Sequence, residues 1–293
     1  MNKLSDYAEI VRKNVPMSSL TWLRIGGPIE YLANPRSEKE LLGLLSACAL
    51  EGVQVRALGD GSSILASDVG VPGMAIQLDA EPFCQIEFDS PFVVAGAGAK
   101  LGRLATATAS AGLAGLEGMV GIPGSVGAAL VSNATTLDAA IEQCVESARV
   151  ATLSGEILEL SKDELVFGRR VSNLSGAIAL SVKFKLVPDD AEELSKRLQK
   201  IWIARKKTRP ELDQGGFARM FKNPGAQRAA DIIEEIGFPG TRIGGASVCE
   251  SDPNLIVASD GCSSDDVKRL VALIEKQANE RAGVELEREL VIW

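Results

Sequence analysis

The chain has 293 residues, 46% of them hydrophobic and 24% charged, with a formal net charge of -8. That length and apolar content suffice for one large domain or two to three small ones, and the acidic balance argues against a nucleic-acid partner. Histidine is absent, which removes the commonest metal ligand and the usual general base, so no metal site is expected and chemistry must rest on carboxylates, hydroxyls, thiols, cations or a bound cofactor. Five scattered cysteines, Cys48, Cys84, Cys144, Cys249 and Cys262, lack a Cys-x-x-Cys spacing and indicate neither a disulfide framework nor a zinc site. The stretch from Met1 to Asp6 has no apolar signal core, and no uncharged apolar run approaches a membrane span. A cytoplasmic protein without a membrane partner is expected.

Leu20 to Pro28 alternates apolar residues and then turns at Gly26-Gly27, which predicts a short strand ending in a tight loop. Ser37 and Glu40 form a capping-box pattern ahead of Leu41, Leu42, Leu44 and Leu45, marking an amphipathic helix to about Leu50. Val53 to Leu58 reads as a strand running into Gly59-Asp60-Gly61-Ser62-Ser63. There two glycines let the backbone turn and small side chains leave its N–H groups bare, a nest suited to a pyrophosphate or, more often, a plain turn.

Met74 to Gly98 is strand-rich and ends in small residues, and Leu101 to Ala111 is a helix. A second glycine concentration follows, Gly115 to Ala129, and includes Gly121-Ile122-Pro123-Gly124-Ser125-Val126-Gly127. So many glycines among apolar neighbours imply backbone lying close to something flat or charged, or close packing of elements. Two such loops, each after a strand, favour a cofactor with a long phosphate-bearing body. Glu146 to Leu160 predicts a hairpin turning at Ser154-Gly155, and Ala177 to Val187 a longer strand closed by Pro188. Between them the paired Arg169 and Arg170 are either solvated or placed to polarise a carboxylate.

Asp189 and Asp190 open a helix with Leu194, Leu198, Ile201 and Trp202 on one face, ending in Arg205-Lys206-Lys207-Thr208-Arg209-Pro210. Gly216 to Pro224, straight after Gly215, reads as a ligand-meeting loop or, equally, as an ordinary surface turn with a solvated Lys. Its Arg219, Lys222 and Asn223 suit an anionic, phosphate-bearing substrate. A helix from about Ala226 to Ile236 stops at Gly237-Phe238-Pro239-Gly240. A loop from Arg242 to Ala246 and a strand from Leu255 to Ala258 follow. Ser263 and Asp266 cap a last helix whose Val267, Leu270, Val271, Ile274 and Ala278 share a face, and Glu285 to Trp293 reads as a terminal strand.

In this order, TWLRIGGP (Thr21 to Pro28), LGDGSSIL (Leu58 to Leu65), GAG (Gly96 to Gly98), GLEGMVGIPGSVGAA (Gly115 to Ala129), SN (Ser132 and Asn133), RRVS (Arg169 to Ser172), FKNP (Phe221 to Pro224), IEEIGFPGTRIGGASV (Ile233 to Val248) and GVELERE (Gly283 to Glu289), the chain resembles the UDP-N-acetylenolpyruvoylglucosamine reductase (UDP-N-acetylmuramate dehydrogenase) family from about Ser19 onward. The resemblance implies an α+β fold: an FAD-binding fold of the vanillyl-alcohol-oxidase/PCMH type in two subdomains, 1–76 and 77–188, and a C-terminal substrate domain, 189–293, whose last strand is able to return to the FAD-binding part. It implies FAD held by Gly59, Asp60, Gly61, Ser62, Ser63 and Gly98 and by Gly121, Ile122, Pro123, Gly124, Ser125 and Gly127. NADPH is the implied reductant. A UDP-sugar would be bound by Lys222, Asn223 and Asn254 and reduced to the peptidoglycan precursor UDP-N-acetylmuramate, the chain acting as a monomer.

Arg170 matches the family arginine that stabilises the enolate-like intermediate, and Glu289 matches its C-terminal acid. The family's serine proton donor falls on Arg219, whose guanidinium is a cation and a poor proton donor to carbon. Further departures are Asn133 to Asp138 for an Asn-Ala-Gly-Ala-Tyr-Gly loop, Arg169 for a tyrosine, Ser63 for an asparagine, and Asp252-Pro253-Asn254-Leu255 for His-Ala-Asn-Phe. Three readings stand: a working reductase whose proton comes from Glu289, a water or Cys249; a binding or regulatory descendant; and a flavin enzyme for another anionic substrate, with Arg169, Arg170 and Arg219 as a clamp.

Overall fold

The computed structural model describes residues 3–136, 139–208, 210 and 216–293. Leu137 and Asp138 of the divergent loop, Arg209 of the helix-end charge run, and Gly215 lie outside the described residues. The chain forms two compact units, each assembled from separate stretches: unit 1 from Met1–Lys13, Tyr31–Gly59 and Pro72–Lys206, unit 2 from Asn14–Glu30, Asp60–Val71 and Lys207–Trp293.

Unit 1 is an α+β unit. A five-stranded sheet has the order Ile157–Ser161, Val145–Thr152, Ala177–Lys185, Phe92–Gly96, Ile86–Asp89, antiparallel throughout. The expected hairpin turns at Ser154-Gly155, where Gly155 has φ +87°. Alternation along the strands feeds two cores. Val93, Ala95, Val150, Val182 and Phe184 pack in the core that also takes α2 (Leu101–Ser110) and α3 (Val126–Val131). Ala151, Ile178 and Leu180 pack in the core that takes α1 (Glu38–Glu51) and Met74 and Ile76.

Helix α1 starts where the capping residues place it, with the Ser37 side chain accepting from the Glu40 N–H at 3.2 Å, and it ends at Gly52 in the left-handed region. In α2 the buried Leu101, Leu104, Ala105, Thr108 and Ala109 recur at helical spacing. Helix α4 (Ala191–Thr208) buries only Leu194 fully; Leu198 and Ile201 are partly buried, and Trp202, expected on the same face, is 45% exposed.

Unit 2 carries a four-stranded antiparallel sheet in the order Gly216–Arg219, Leu255–Ala258, Ala246–Val248, Arg242–Ile243. Helices α5 (Ala229–Glu235) and α6 (Ser264–Gln277) pack in its core through Ile232, Ile233, Val267, Leu270, Val271 and Ile274. The Ser263–Asp266 capping box is present, with reciprocal bonds of 3.1 and 3.2 Å. The N–H groups of Ser263 and Gly245 hold the Asp266 carboxyl below its ordinary range.

Four elements differ from expectation. Leu20 to Gly27 is a loop, not a strand. Arg24 (φ +56°) and Gly26 (φ +111°) turn the backbone out of extended geometry, and the strand begins at Pro28. Gly216–Arg219 is an edge strand rather than a loop, because it pairs residue by residue with Leu255–Ala258. Arg242 to Ala246 is a tight hairpin, Arg242 opposite Ser247. The terminal strand shrinks to Val291–Ile292, because the segment divides its bonds between Met220–Lys222 and the stretch from Ser63 to Ser67. Among the described residues no helix is long and apolar enough to cross a membrane.

Burial pushes the Cys48 and Cys262 thiols up to about 11. Both are protonated at pH 8 and packed in cores, with roughly a hundredfold less thiolate than an ordinary thiol. Alkylation at pH 8 is therefore expected to label the half-buried Cys84 first and to reach Cys48 and Cys262 only on unfolding. Mass spectrometry of the native reaction checks this.

Candidate functional site

In the first glycine loop Gly61 is required on two counts: its φ is +66°, and an added Cβ would lie 2.1 Å from the Leu20 carbonyl oxygen. The Gly61 carbonyl takes the Trp22 N–H at 3.1 Å. The N–H groups of Gly59, Gly61, Ser62 and Ser63 donate to no acceptor among the described residues. A run of backbone donors of this kind suits phosphate oxygens.

In the second loop the amides of Val126 and Gly127 close onto the carbonyls of Ala99 and Ala97 at 2.9 and 2.8 Å, and Leu101 donates to the Gly124 carbonyl at 3.0 Å. Gly127 admits no side chain, because its Cβ would meet that of Ala97 at 2.8 Å. The N–H groups of Gly124 and Ser125 donate to no acceptor among the described residues, and the space before Gly124 is open. Gly98 has a packing role: a Cβ there would sit 1.7 Å from the Leu78 carbonyl oxygen. Gly59 packs on the start of α3, 3.0 Å from the Ala128 Cβ. Taken by itself, the donor set of each loop suits phosphate oxygens.

Arg169 and Arg170 form the two-residue turn of the hairpin that pairs Phe167–Gly168 with Val171–Ser172. Arg170 has φ +56°, a strained choice for a non-glycine residue. Beneath it, the buried Asn133 donates from Nδ2 to the Gly168 carbonyl at 2.9 Å and to Glu142 Oε2 at 3.0 Å. Both partners are acceptors, so the amide orientation is fixed.

Unit 2 gathers the substrate-side candidates on one segment. Glu289 donates its N–H to the Met220 carbonyl at 2.8 Å, and Lys222 donates its N–H to the Glu287 carbonyl at 2.8 Å. Three residues, Met220 to Lys222, thus lie beside Glu287 to Glu289. The Lys222 ammonium is paired with the Glu287 carboxylate, and Asn223 Oδ1 takes the Ala229 N–H at 3.1 Å, fastening the first turn of α5. Asn254 is fully buried, with its Oδ1 accepting from the Phe221 N–H at 3.0 Å and its Nδ2 donating to the Phe221 carbonyl at 2.8 Å. Both ends of that amide grip one peptide, so Asn254 holds the segment in place.

Arg219 ends the edge strand, and its guanidinium donates to Asp252 Oδ2 at 3.2 Å. Asp252 Oδ1 takes the Asn254 N–H at 3.2 Å. Asp252 and Glu287 are members of this site that the sequence reading did not single out for such roles. The signal in the sequence at Asp252 is its departure from the family's His-Ala-Asn-Phe pattern. Cys249 is buried with its Sγ 3.2 Å from the Ser251 hydroxyl.

Loops of backbone amides such as these suit a flavin nucleotide, and residues 29–161 match the model of an FAD binding domain. The protein is an FAD-dependent oxidoreductase with the vanillyl-alcohol-oxidase/PCMH-type fold. Residues 211–293 match the C-terminal domain of UDP-N-acetylenolpyruvoylglucosamine reductase. A protein of that name from Rhodopirellula baltica is 36% identical over 288 residues, 98% of this chain and 94% of that protein. The crystal structure of UDP-N-acetylenolpyruvylglucosamine reductase from Thermus caldophilus superimposes with a TM-score of 0.82 at 33% identity, covering 97% of this chain and 99% of that one. The grass pollen allergen Phl p 4 is similar in fold alone, with a TM-score of 0.50 at 14% identity over 64% of this chain and 44% of that one. The chain belongs to the UDP-N-acetylenolpyruvoylglucosamine reductase family.

Asn254→Ala leaves a buried N–H and a buried carbonyl of Phe221 unpaired and is expected to cost about 2–4 kcal/mol of stability. Asn254→Asp keeps the acceptor but places an anion against a carbonyl, and should not recover the loss. Urea unfolding of the variants measures both.

Proposed function

We propose that this chain reduces the enolpyruvyl group of UDP-N-acetylglucosamine enolpyruvate to give UDP-N-acetylmuramate, with NADPH as electron source, for peptidoglycan synthesis in the cytoplasm. The observation that carries the reading is the convergence in unit 2 of Lys222 and Asn223, on a segment held by buried Asn254, with Glu289 on the backbone hydrogen-bonded beside it. The functional division follows the sequence, with 1–76 and 77–188 holding the flavin and 189–293 the sugar nucleotide.

FAD, held at these loops, would supply hydride transfer between NADPH and the enolpyruvyl double bond. The chain's own residues do the rest. The amides of Gly59, Gly61, Ser62, Ser63, Gly124 and Ser125 hold phosphate oxygens, while Asp60, Gly98, Ile122, Pro123 and Gly127 shape their loops. Lys222 and Asn223 meet the UDP-sugar, and Asn254 keeps their segment in register. Arg170 sets a permanent cation against the negative charge that grows on the substrate carboxylate. Delivery of the proton that the adjacent carbon requires is assigned to Glu289, and Arg219 serves as a cation.

One observation favours a second reading, a descendant that binds without reducing. The position of the family's proton donor is occupied by a guanidinium already engaged by Asp252.

Incubation of the purified protein with FAD is expected to give a yellow complex, and NADPH oxidation by it should depend on the enolpyruvyl UDP-sugar. Lys222→Ala and Arg170→Ala should each lower kcat/KM by roughly a hundredfold to a thousandfold. Protein that gains no flavin absorbance contradicts the proposal outright. Flavin binding with no turnover dependent on the sugar nucleotide supports the second reading.

A further inference from the structure

Two departures from the family pattern, Arg219 in the place of a serine and Asp252 in the place of a histidine, are the two halves of one ion pair. They lie 33 positions apart in sequence and 3.2 Å apart in space. We propose that Asp252 is a positioning residue for Arg219, and that the pair acts as one unit to present a fixed cation to an acidic group of the sugar-nucleotide substrate. This rests on the reading that the Arg219 to Pro224 segment meets such a substrate.

Asp252 is itself held. Its Oδ1 takes the Asn254 N–H at 3.2 Å, and its backbone carbonyl takes the Leu255 N–H at 2.8 Å. That turn leads straight into the strand Leu255–Ala258, which pairs with the strand bearing Arg219, Arg219 opposite Leu255. The carboxylate and the guanidinium therefore hang from adjacent, hydrogen-bonded backbones, and little freedom separates them.

The two cations of the segment are paired in opposite senses. For Lys222 the cation is the buried partner, its side chain 13% exposed against 56% for Glu287. For Arg219 the acid is the buried partner, with Asp252 10% exposed and Arg219 37%. A buried acid holding a half-exposed guanidinium leaves the outer N–H groups of the fork in solvent, and they donate to no acceptor among the described residues. Guanidinium offers five donors in one plane and suits carboxylate or phosphate. Burial of Asp252 also fixes the consequence of changing one residue alone. Arg219→Ser strands a carboxylate that has lost its cation, so restoring the family's serine requires Asp252 to change as well.

The test is a double-mutant cycle on full-length FAD-loaded protein, comparing wild type, Arg219→Ser, Asp252→Asn and the double variant. The readout is the Kd for the enolpyruvyl UDP-sugar by calorimetry without NADPH, where binding is measured whether or not the protein turns over. Asp252→Asn is nearly isosteric, and a thermal melt confirms its folding. It is expected to weaken binding roughly tenfold, and Asp252→Glu to recover most of that loss. The double variant should bind no worse than the weaker single variant.

Losses that multiply in the double variant overturn the pairing, as does an Asp252→Asn variant that binds like wild type. Lys222→Ala separates this from failure of the underlying reading. If Lys222→Ala weakens binding and Asp252→Asn does not, the pairing alone is wrong. If neither does, the segment does not meet a UDP-sugar and the inference fails with that reading.

Discussion

The substrate side of this protein depends on one buried amide. Asn254 grips the peptide of Phe221 at both its N–H and its carbonyl, and its own backbone carbonyl takes the Met220 N–H at 2.9 Å. Three bonds from one residue thereby fix two successive residues of a chain segment that would otherwise be an edge. On the other side Glu289 and Leu290 donate to the Met220 carbonyl, and Lys222 donates to Glu287. The segment is fastened along both flanks, so Arg219 and Lys222 are carried at set positions by backbone geometry. Preorganisation of this kind lowers the ordering cost when an anionic ligand arrives.

The elements with local signals were legible in the sequence. Ser37 capped α1, Ser263 and Asp266 capped α6, and Ser154-Gly155 turned a hairpin, because caps and turns are set by residues a few positions apart. Gly216–Arg219 looked like a loop for its glycine and its cation, and became a strand only through pairing with Leu255–Ala258, which no local pattern encodes. The terminal segment alternates as a strand should, yet it divides its bonds between Met220–Lys222 and the stretch from Ser63 to Ser67, so only Val291–Ile292 pair as a strand. The site shows the same divide. Lys222, Asn223 and Glu289 were found by motif, and the structure sets them on neighbouring backbone. The partnership of Arg219 with Asp252 required two distant residues to be brought together by the sheet, and so did the double grip of Asn254.

Electrostatics in unit 2 is arranged pair by pair. Lys222 has Glu287, Arg219 has Asp252, and Arg288 has Glu275, whose bidentate contact includes a 2.6 Å bond and raises the guanidinium's pKa. These three cations are each matched to an individual carboxylate, and a ligand arriving at them must compete with or complement those partners. Arg219 is the cation of this segment whose partner is the more buried member of its pair, which makes it the group best placed to meet a ligand while staying anchored. The residue that looked like the loss of a proton donor is also a built cation.

Whether the site still reduces is answered most directly in a single turnover. The FAD-loaded protein is reduced stoichiometrically under anaerobic conditions and mixed with the enolpyruvyl UDP-sugar, and flavin absorbance is followed. The account predicts that oxidised-flavin absorbance returns and UDP-N-acetylmuramate forms in equal amount. Flavin that stays reduced in the presence of saturating, demonstrably bound sugar nucleotide would contradict it.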